Sequence, residues 1–163
     1  MVTKWRFSHQ LPEVDMLITI AEQAFDPWQA VQTYQAENLT AGSYGATSIF
    51  IGTMRDFNEG ADVTAMCLEY YPGMTEKQLE KIVSEASQQW AVLDALVIHR
   101  VGDILPNDPI VIVAVWTAHR SDAFAACRYI MEALKSKAPF WKKEQLVTEE
   151  VRWVESNTVN KAT

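Results

Sequence analysis

Cysteine is scarce in this chain. Two of them, Cys67 and Cys127, stand in 163 residues with no CxxC and no zinc-type spacing. That gives no sign of a disulfide scaffold and fits a reducing compartment. Long apolar runs are missing too: the longest, Ile110–Trp116, is far too short to cross a bilayer. The first residues, Met-Val-Thr-Lys-Trp-Arg-Phe, lack the apolar segment of a signal peptide, so a cytoplasmic location is expected. Positive charge is in deficit, with 14 Lys/Arg against 21 Asp/Glu and a net charge of −7. A balance of that sign argues against broad nucleic-acid binding. There is no Gly-rich phosphate loop, no GxSxG, no metal-spaced His/Cys/Asp cluster, no internal repeat and no low-complexity tract. What remains is an ordinary globular composition, 48% hydrophobic and 21% charged, in a length that suits one domain over residues 1–163.

The elements follow from periodicity and punctuation. Trp5–His9 reads as a short strand. Glu13–Ala24 places Val14, Leu17, Ile18 and Ala21 at helical spacing. Asp26-Pro27 reads as an N-cap with proline at the first helical position, opening a short helix to about Ala36. Thr40–Gly45 is a turn. Ala46–Met54 and Val63–Tyr71 read as strands joined into a hairpin by Asn58-Glu-Gly60. Thr75 and Gln78 form a capping box before a helix whose stripe is Leu79, Ile82, Val83, Ala86 and Trp90. Ala95–Arg100 and Ile110–Ala118 are β-branched strands separated by Gly102 and Pro106–Pro109. Ser121 caps a further helix with Phe124, Cys127, Ile130, Met131 and Leu134 on its buried stripe, and Pro139 stops it. Val151–Val154 is a last strand. Intermixed strands and helices with hairpin pairs favour α+β.

Charge is segregated. From His119 to Lys143 there are six Lys/Arg and two Asp/Glu, a surplus of four positive charges in an acidic chain. At its centre lies Lys135-Ser-Lys-Ala-Pro-Phe-Trp-Lys-Lys-Glu144, where an anion would find partners. His119-Arg120 falls where a strand meets a helix N-terminus, with free backbone N–H groups and a forked guanidinium. Read locally, a structural histidine fits that position equally well. Arg128, Glu132 and Lys135 also fit a solvated charge ladder on one helix face. Phe140-Trp141 reads as a packed anchor that holds Lys142 and Lys143 in place. Arg55 ends a strand after Gly52-Thr-Met. Cys127 falls on a buried stripe and Cys67 has no His or Asp partner in view, so neither reads as a catalytic thiol.

Five motifs stand in order: Gly52-Thr-Met-Arg55, Leu68-Glu-Tyr-Tyr-Pro-Gly-Met74, His99-Arg-Val-Gly102, Ala118-His-Arg-Ser-Asp-Ala-Phe124 and Leu134–Glu144. Together they resemble the large, catalytic subunit of molybdopterin synthase, the MoaE family. The resemblance covers a core at 44–154, with 1–43 as a divergent N-terminal part and 155–163 as a tail. It implies an α/β-hammerhead-type α+β fold, with a mixed or antiparallel sheet and flanking helices. It implies a homodimer at the centre of a heterotetramer, each end docking a small ubiquitin-like sulfur carrier whose Gly-Gly tail ends in a thiocarboxylate. The substrate implied is cyclic pyranopterin monophosphate (precursor Z), which two sulfur transfers convert to the molybdopterin dithiolene without a metal or other cofactor. Carried over residue by residue, Lys135 and Lys142 are catalytic. Thr53, Met54, Arg55, His119, Arg120, Lys142, Lys143 and Glu144 bind substrate. The chain departs from the family pattern in the region before Tyr44, in Glu150 where relatives place a turn glycine, and in bulky Met54 and Trp116. The alternative reading is a non-enzymatic module whose basic and aromatic patch binds an anionic partner such as single-stranded nucleic acid.

Overall fold

A computed structural model describes residues 14–154. Over that span nine strands and three helices form an α+β fold with two sheets. The first sheet has the order β1-β5-β7-β2, from β1 (Asp15–Ala21), β2 (Ala46–Thr53), β5 (Val92–Arg100) and β7 (Pro109–Thr117). β1 runs parallel to β5, and the other pairings are antiparallel. The second sheet is antiparallel. It is built from β3 (Phe57–Asn58), β4 (Ala61–Tyr70), β8 (Phe140–Leu146) and β9 (Val151–Val154), with β6 (Gly102–Ile104) also pairing to β4.

The first sheet is covered on both faces. β7 reads Pro-Ile-Val-Ile-Val-Ala-Val-Trp-Thr, a continuous apolar run of the kind a doubly buried strand requires. Val111, Val113 and Val115 face α2 (Met74–Gln89) and α3 (Arg120–Lys137). Their stripes, Leu79, Ile82, Val83 and Ala86 with Cys127, Ile130 and Leu134, fill the main core. Ile112, Ala114 and Trp116 face the other way onto Val31 and Tyr34 of α1 (Pro27–Asn38). Here Trp116 donates to Gln35 at 3.2 Å, and the Tyr34 hydroxyl donates to buried Asp94 at 2.7 Å. α1 begins as its sequence predicts: Asp26 accepts from the N–H groups of Trp28 and Gln29, and Pro27 takes the first position.

Several expectations are corrected. The Trp5–His9 segment lies outside the described residues. Of the expected Glu13–Ala24 helix, the described residues 14–24 contain no helix; Asp15–Ala21 is a strand. Its Met16, Ile18 and Ile20 pack toward α2 and Leu17 toward the α1 side. Apolar residues on both faces hide the period of two and imitate a helical stripe. The hairpin at Asn58-Glu-Gly60 joins β3 to β4, whereas β2 pairs with β7 in the other sheet. The box at the start of α2 is made by Glu76, which accepts from the N–H of Gly73 at 2.6 Å. Thr75 instead accepts from Tyr71 N–H and reaches the Pro139 carbonyl at 3.3 Å, tying α2 to the end of α3. His119, not Ser121, is the N-cap of α3. Phe124 is 67% exposed: the buried stripe of α3 starts at Ala123, and the next residue is turned about 100° round the helix from it. The segment after Pro139 is a strand, and its alternation turns Phe140 inward and leaves Trp141 exposed. In the turn before β9, beside Glu150, Glu149 takes the left-handed conformation (φ 64).

Candidate functional site

The two sheets and the C-terminal end of α3 meet around a cavity of about 490 Å³. The end of β2 and the following loop contribute Thr53, Met54 and Arg55, α3 contributes Lys135, and β8 contributes Lys142 and Glu144. These six come from three separated stretches of chain. They are six of the nine residues that the sequence assigns to the site. Gly52 makes the wall possible: a Cβ there would stand 2.8 Å from Val111 Cγ1, so any side chain would push β2 away from β7. The loop after it is clamped by Met54 N–H on the Asp108 carbonyl (2.9 Å) and Asn107 N–H on the Met54 carbonyl (2.8 Å). Arg55 lies over the Phe57 ring, 4.9 Å from its centre, which restrains the guanidinium at the rim.

The basic segment is split by secondary structure. On β8, Phe140, Lys142 and Glu144 share the cavity face, while Lys143 turns to the opposite face, 5.4 Å from the centre of the Trp153 ring. Lys137 leaves the site altogether, paired with Glu85 at 3.0 Å. What looked in sequence like one basic stripe therefore presents no continuous surface for a nucleic-acid strand. Lys135 stands in the last turn of α3, where the helix dipole also favours a cation.

Glu144 is the fixed point of this wall. It is 1% exposed and takes Lys142 Nζ at 2.8 Å and Asn58 Nδ2 at 2.8 Å on one oxygen. Arg152 Nε and Nη2 reach the other at 3.1 and 3.0 Å. Burial pushes the Glu144 carboxyl up, but the bonds and charge of Lys142, then Arg152 and Asn58, outweigh it and hold its pKa below the usual carboxylate value. Arg152 also donates to the Asn58 carbonyl at 3.0 Å, closing β3, β8 and β9 into one polar knot. Sequence reasoning missed Asn58 and Arg152. The usable signal was the alternation Phe140, Lys142, Glu144, which becomes visible once the segment is taken as a strand.

His119 and Arg120 stand elsewhere. They are exposed at the N-terminus of α3, and Lys135 is fifteen residues further along that helix, about 22 Å away. Within one chain they do not reach the cavity. His99-Arg100, at the end of β5, divides its labour. Arg100 braces the next turn through Asp108 (3.1 Å) and the Asp103 carbonyl (2.9 Å). His99 is buried in the cavity wall. Neither thiol lines the cavity. Cys127 is buried against the Val113 carbonyl, and burial raises its pKa. Burial, followed by neighbouring Asp103, pushes the Cys67 thiol up as well. Among the described residues no group of three or more His, Cys, Asp or Glu is placed to hold a metal ion, and no helix is long and apolar enough to cross a membrane.

The model of the MoaE protein family matches residues 20–137, which include β2 to β7 and all three helices. A molybdopterin synthase catalytic subunit from Ralstonia nicotianae is 57% identical over 116 residues, covering 71% of this chain and 65% of that relative's length. The molybdopterin synthase catalytic subunit of Pseudomonas aeruginosa is 46% identical over 147 residues, covering 90% of this chain and 95% of the relative. Among solved structures, a molybdopterin biosynthesis MoaE protein from Burkholderia ambifaria superposes with a TM-score of 0.72 at 45% identity, covering 88% of this chain and 92% of the other. The fold, the cavity and these likenesses agree, and the chain belongs to the MoaE protein family, that of the molybdopterin synthase catalytic subunits.

Proposed function

We propose that this protein transfers sulfur from the thiocarboxylated C-terminus of a small carrier subunit to cyclic pyranopterin monophosphate, building the molybdopterin dithiolene. The observation that carries the reading is the convergence of Arg55, Lys135 and Lys142 on one cavity in a MoaE-family chain. Both reactants bring anions, a phosphate on the pterin and a thiocarboxylate on the carrier tail, and fixed cations in a partly dry cavity hold such groups strongly. Sulfur that arrives on the carrier removes the need for a thiol in the wall. The reaction is expected in the cytoplasm.

Placement supports a role for each residue. Arg55, at the rim, takes phosphate. Lys142 is held on the Glu144–Arg152–Asn58 knot, so its ammonium keeps one position as charge moves from the thiocarboxylate to the opening cyclic phosphate. Lys135, across the cavity on α3, supplies the second cation, and together the lysines orient the tail and pass protons. A correctly placed donor of this kind is worth ~3 kcal/mol of barrier.

His119 and Arg120 enter the same chemistry through a second copy. With about 22 Å of helix between Arg120 and Lys135, only a partner chain can bring that pair to the cavity, which is a reason for a central homodimer. Mixing tests this. Lys135→Ala and Arg120→Ala dimers are each inactive; after subunit exchange, half the dimers are mixed and each holds one intact site, restoring roughly a quarter of wild-type dithiolene formation. Sites complete within one chain would give no recovery.

A further inference from the structure

His99 is a buried ring in the wall of the same cavity as Lys135 and Lys142, and the sulfur-transfer scheme leaves it unused. It lies on Phe140 with the ring centres 3.9 Å apart and the planes 15° from parallel. Its Nδ1 is 2.8 Å from the Arg100 carbonyl oxygen. A carbonyl only accepts, so Nδ1 carries the proton and the lone pair sits on Nε2, across the ring. Burial lowers the pKa to about 4, which keeps the imidazole neutral near pH 7. The cavity thus holds a rigid acceptor among donors. Arg55, Lys135 and Lys142 only donate, and the Glu144 carboxylate is already taken by Lys142, Asn58 and Arg152. The cavity lining also includes apolar Phe140, Met131, Leu134 and Ile110, with Phe140 lying flat on His99. A phosphate has no use for that lining. A planar nitrogen heterocycle does, because it offers an apolar face and in-plane N–H donors.

We infer that His99 is a substrate-binding residue: its Nε2 accepts a hydrogen bond from an N–H of the substrate's heterocycle, seated in the half of the cavity walled by His99 and Phe140, and so sets which end of the substrate faces the lysines. The assignment rests on the reading that the substrate joins a pterin to a phosphate. It separates two halves of one cavity, cations for the phosphate and His99 for the ring.

Three variants test it: His99→Phe, which keeps a flat ring on Phe140 and loses the acceptor, His99→Gln, whose amide oxygen can stand where Nε2 was, and Lys135→Ala. Each is measured for turnover of the pterin phosphate with thiocarboxylated carrier, and for equilibrium binding of two probes, an unphosphorylated pterin and inorganic phosphate. For His99→Phe the pterin probe and KM weaken about 10-fold, while phosphate binding stays at the wild-type value and kcat changes less than KM. His99→Gln recovers most of the loss. Lys135→Ala shows the reverse pattern, losing phosphate and keeping the pterin. A His99→Phe protein that binds the pterin probe like wild type overturns the inference, and so does equal loss of both probes, which marks a purely structural histidine. If thermal unfolding shows His99→Phe to be unfolded, His99→Gln is compared with His99→Asn, whose amide reaches only the Nδ1 position; equal affinities for the pterin probe then overturn it. Wild-type protein that makes no dithiolene refutes the functional reading itself, whereas wild-type turnover beside an unmoved His99→Phe removes only this residue's role.

Discussion

Replacing Glu144 by Gln keeps the shape of the side chain and removes its charge, so it isolates the electrostatic knot beneath the cavity wall. The wild-type carboxylate receives Asn58 at 2.8 Å, Lys142 at 2.8 Å and Arg152 at 3.0 and 3.1 Å. Hydrogen bonds to charged groups are worth about 1.5–3 kcal/mol each, and removing one partner of a buried ion pair costs about 3–5 kcal/mol. Lys142 and Arg152 keep 27% and 30% of their side-chain surface, so both can turn toward water when the charge is gone. That relief places Glu144→Gln at the low end, about 3 kcal/mol of lost stability. In a chain of this size the loss lowers Tm by roughly 6–12 °C. Urea unfolding measures it directly. A double-mutant cycle with Arg152→Gln should return a coupling above about 1 kcal/mol. Glu144 also predicts a pH dependence. Its pKa is depressed in the fold, so its stabilisation is fully present above the ordinary carboxylate pKa of about 4.3 and is lost as pH falls through the lower folded value. Glu144→Gln protein lacks that acid-side loss. A variant within about 0.5 kcal/mol of wild type, or an additive cycle, refutes the claim that this knot anchors Lys142.

His99 acts at milder acidity: its pKa falls from 6.5 to about 4 on burial, so the unfolded chain takes up a proton below pH 6.5 while the folded chain does not. The full drop is about 3 kcal/mol, and urea titrations from pH 7 to about 4.5 should show wild type losing about 2 kcal/mol relative to His99→Phe. Phe124→Ser, on a side chain 67% exposed, shifts stability by less than about 0.5 kcal/mol, whereas Ile130→Ala, on the same helix and buried, costs about 2–5 kcal/mol in the same denaturation assay. Glu149→Gly relieves a left-handed residue (φ 64) and should raise stability by up to about 1 kcal/mol, read as a higher urea midpoint at unchanged slope.

Legibility in the sequence tracked how many neighbours each element has. α2 and β7 were readable because a single dominant environment sets their pattern: one buried stripe for the helix, full burial for the strand. β1 was not, since Leu17 and Ile18 serve opposite faces of one sheet and together mimic a helical turn. The pairing of β2 was hidden because Asn58-Glu-Gly60 is a genuine turn that closes a two-residue strand, β3, onto β4. Proximity in sequence then pointed to the wrong partner for β2. At the site, the motifs picked out Arg55, Lys135, Lys142 and Glu144, which the fold gathers at one cavity. The predicted helix from Ser121 to Pro139 already set His119-Arg120 and Lys135 at opposite ends; the motif match hid this because it gives residues in order without distance. Nor could the motifs show that Lys142 and Lys143 part company, which follows only from the alternation of a strand. Asn58 and Arg152 join Glu144 from 86 and 8 residues away, across pairings that no local pattern records.

The central claim is that the cavity holding Arg55, Lys135 and Lys142 is where sulfur reaches the pterin. The most direct measurement combines the purified protein, a thiocarboxylated carrier and cyclic pyranopterin monophosphate, and quantifies the dithiolene product. The wild type is expected to form it, and Lys135→Ala and Lys142→Ala proteins, folded by thermal unfolding, are each expected to lose about two orders of magnitude in rate or more. Wild-type rates from both lysine variants, or no dithiolene from the intact protein, would contradict the account.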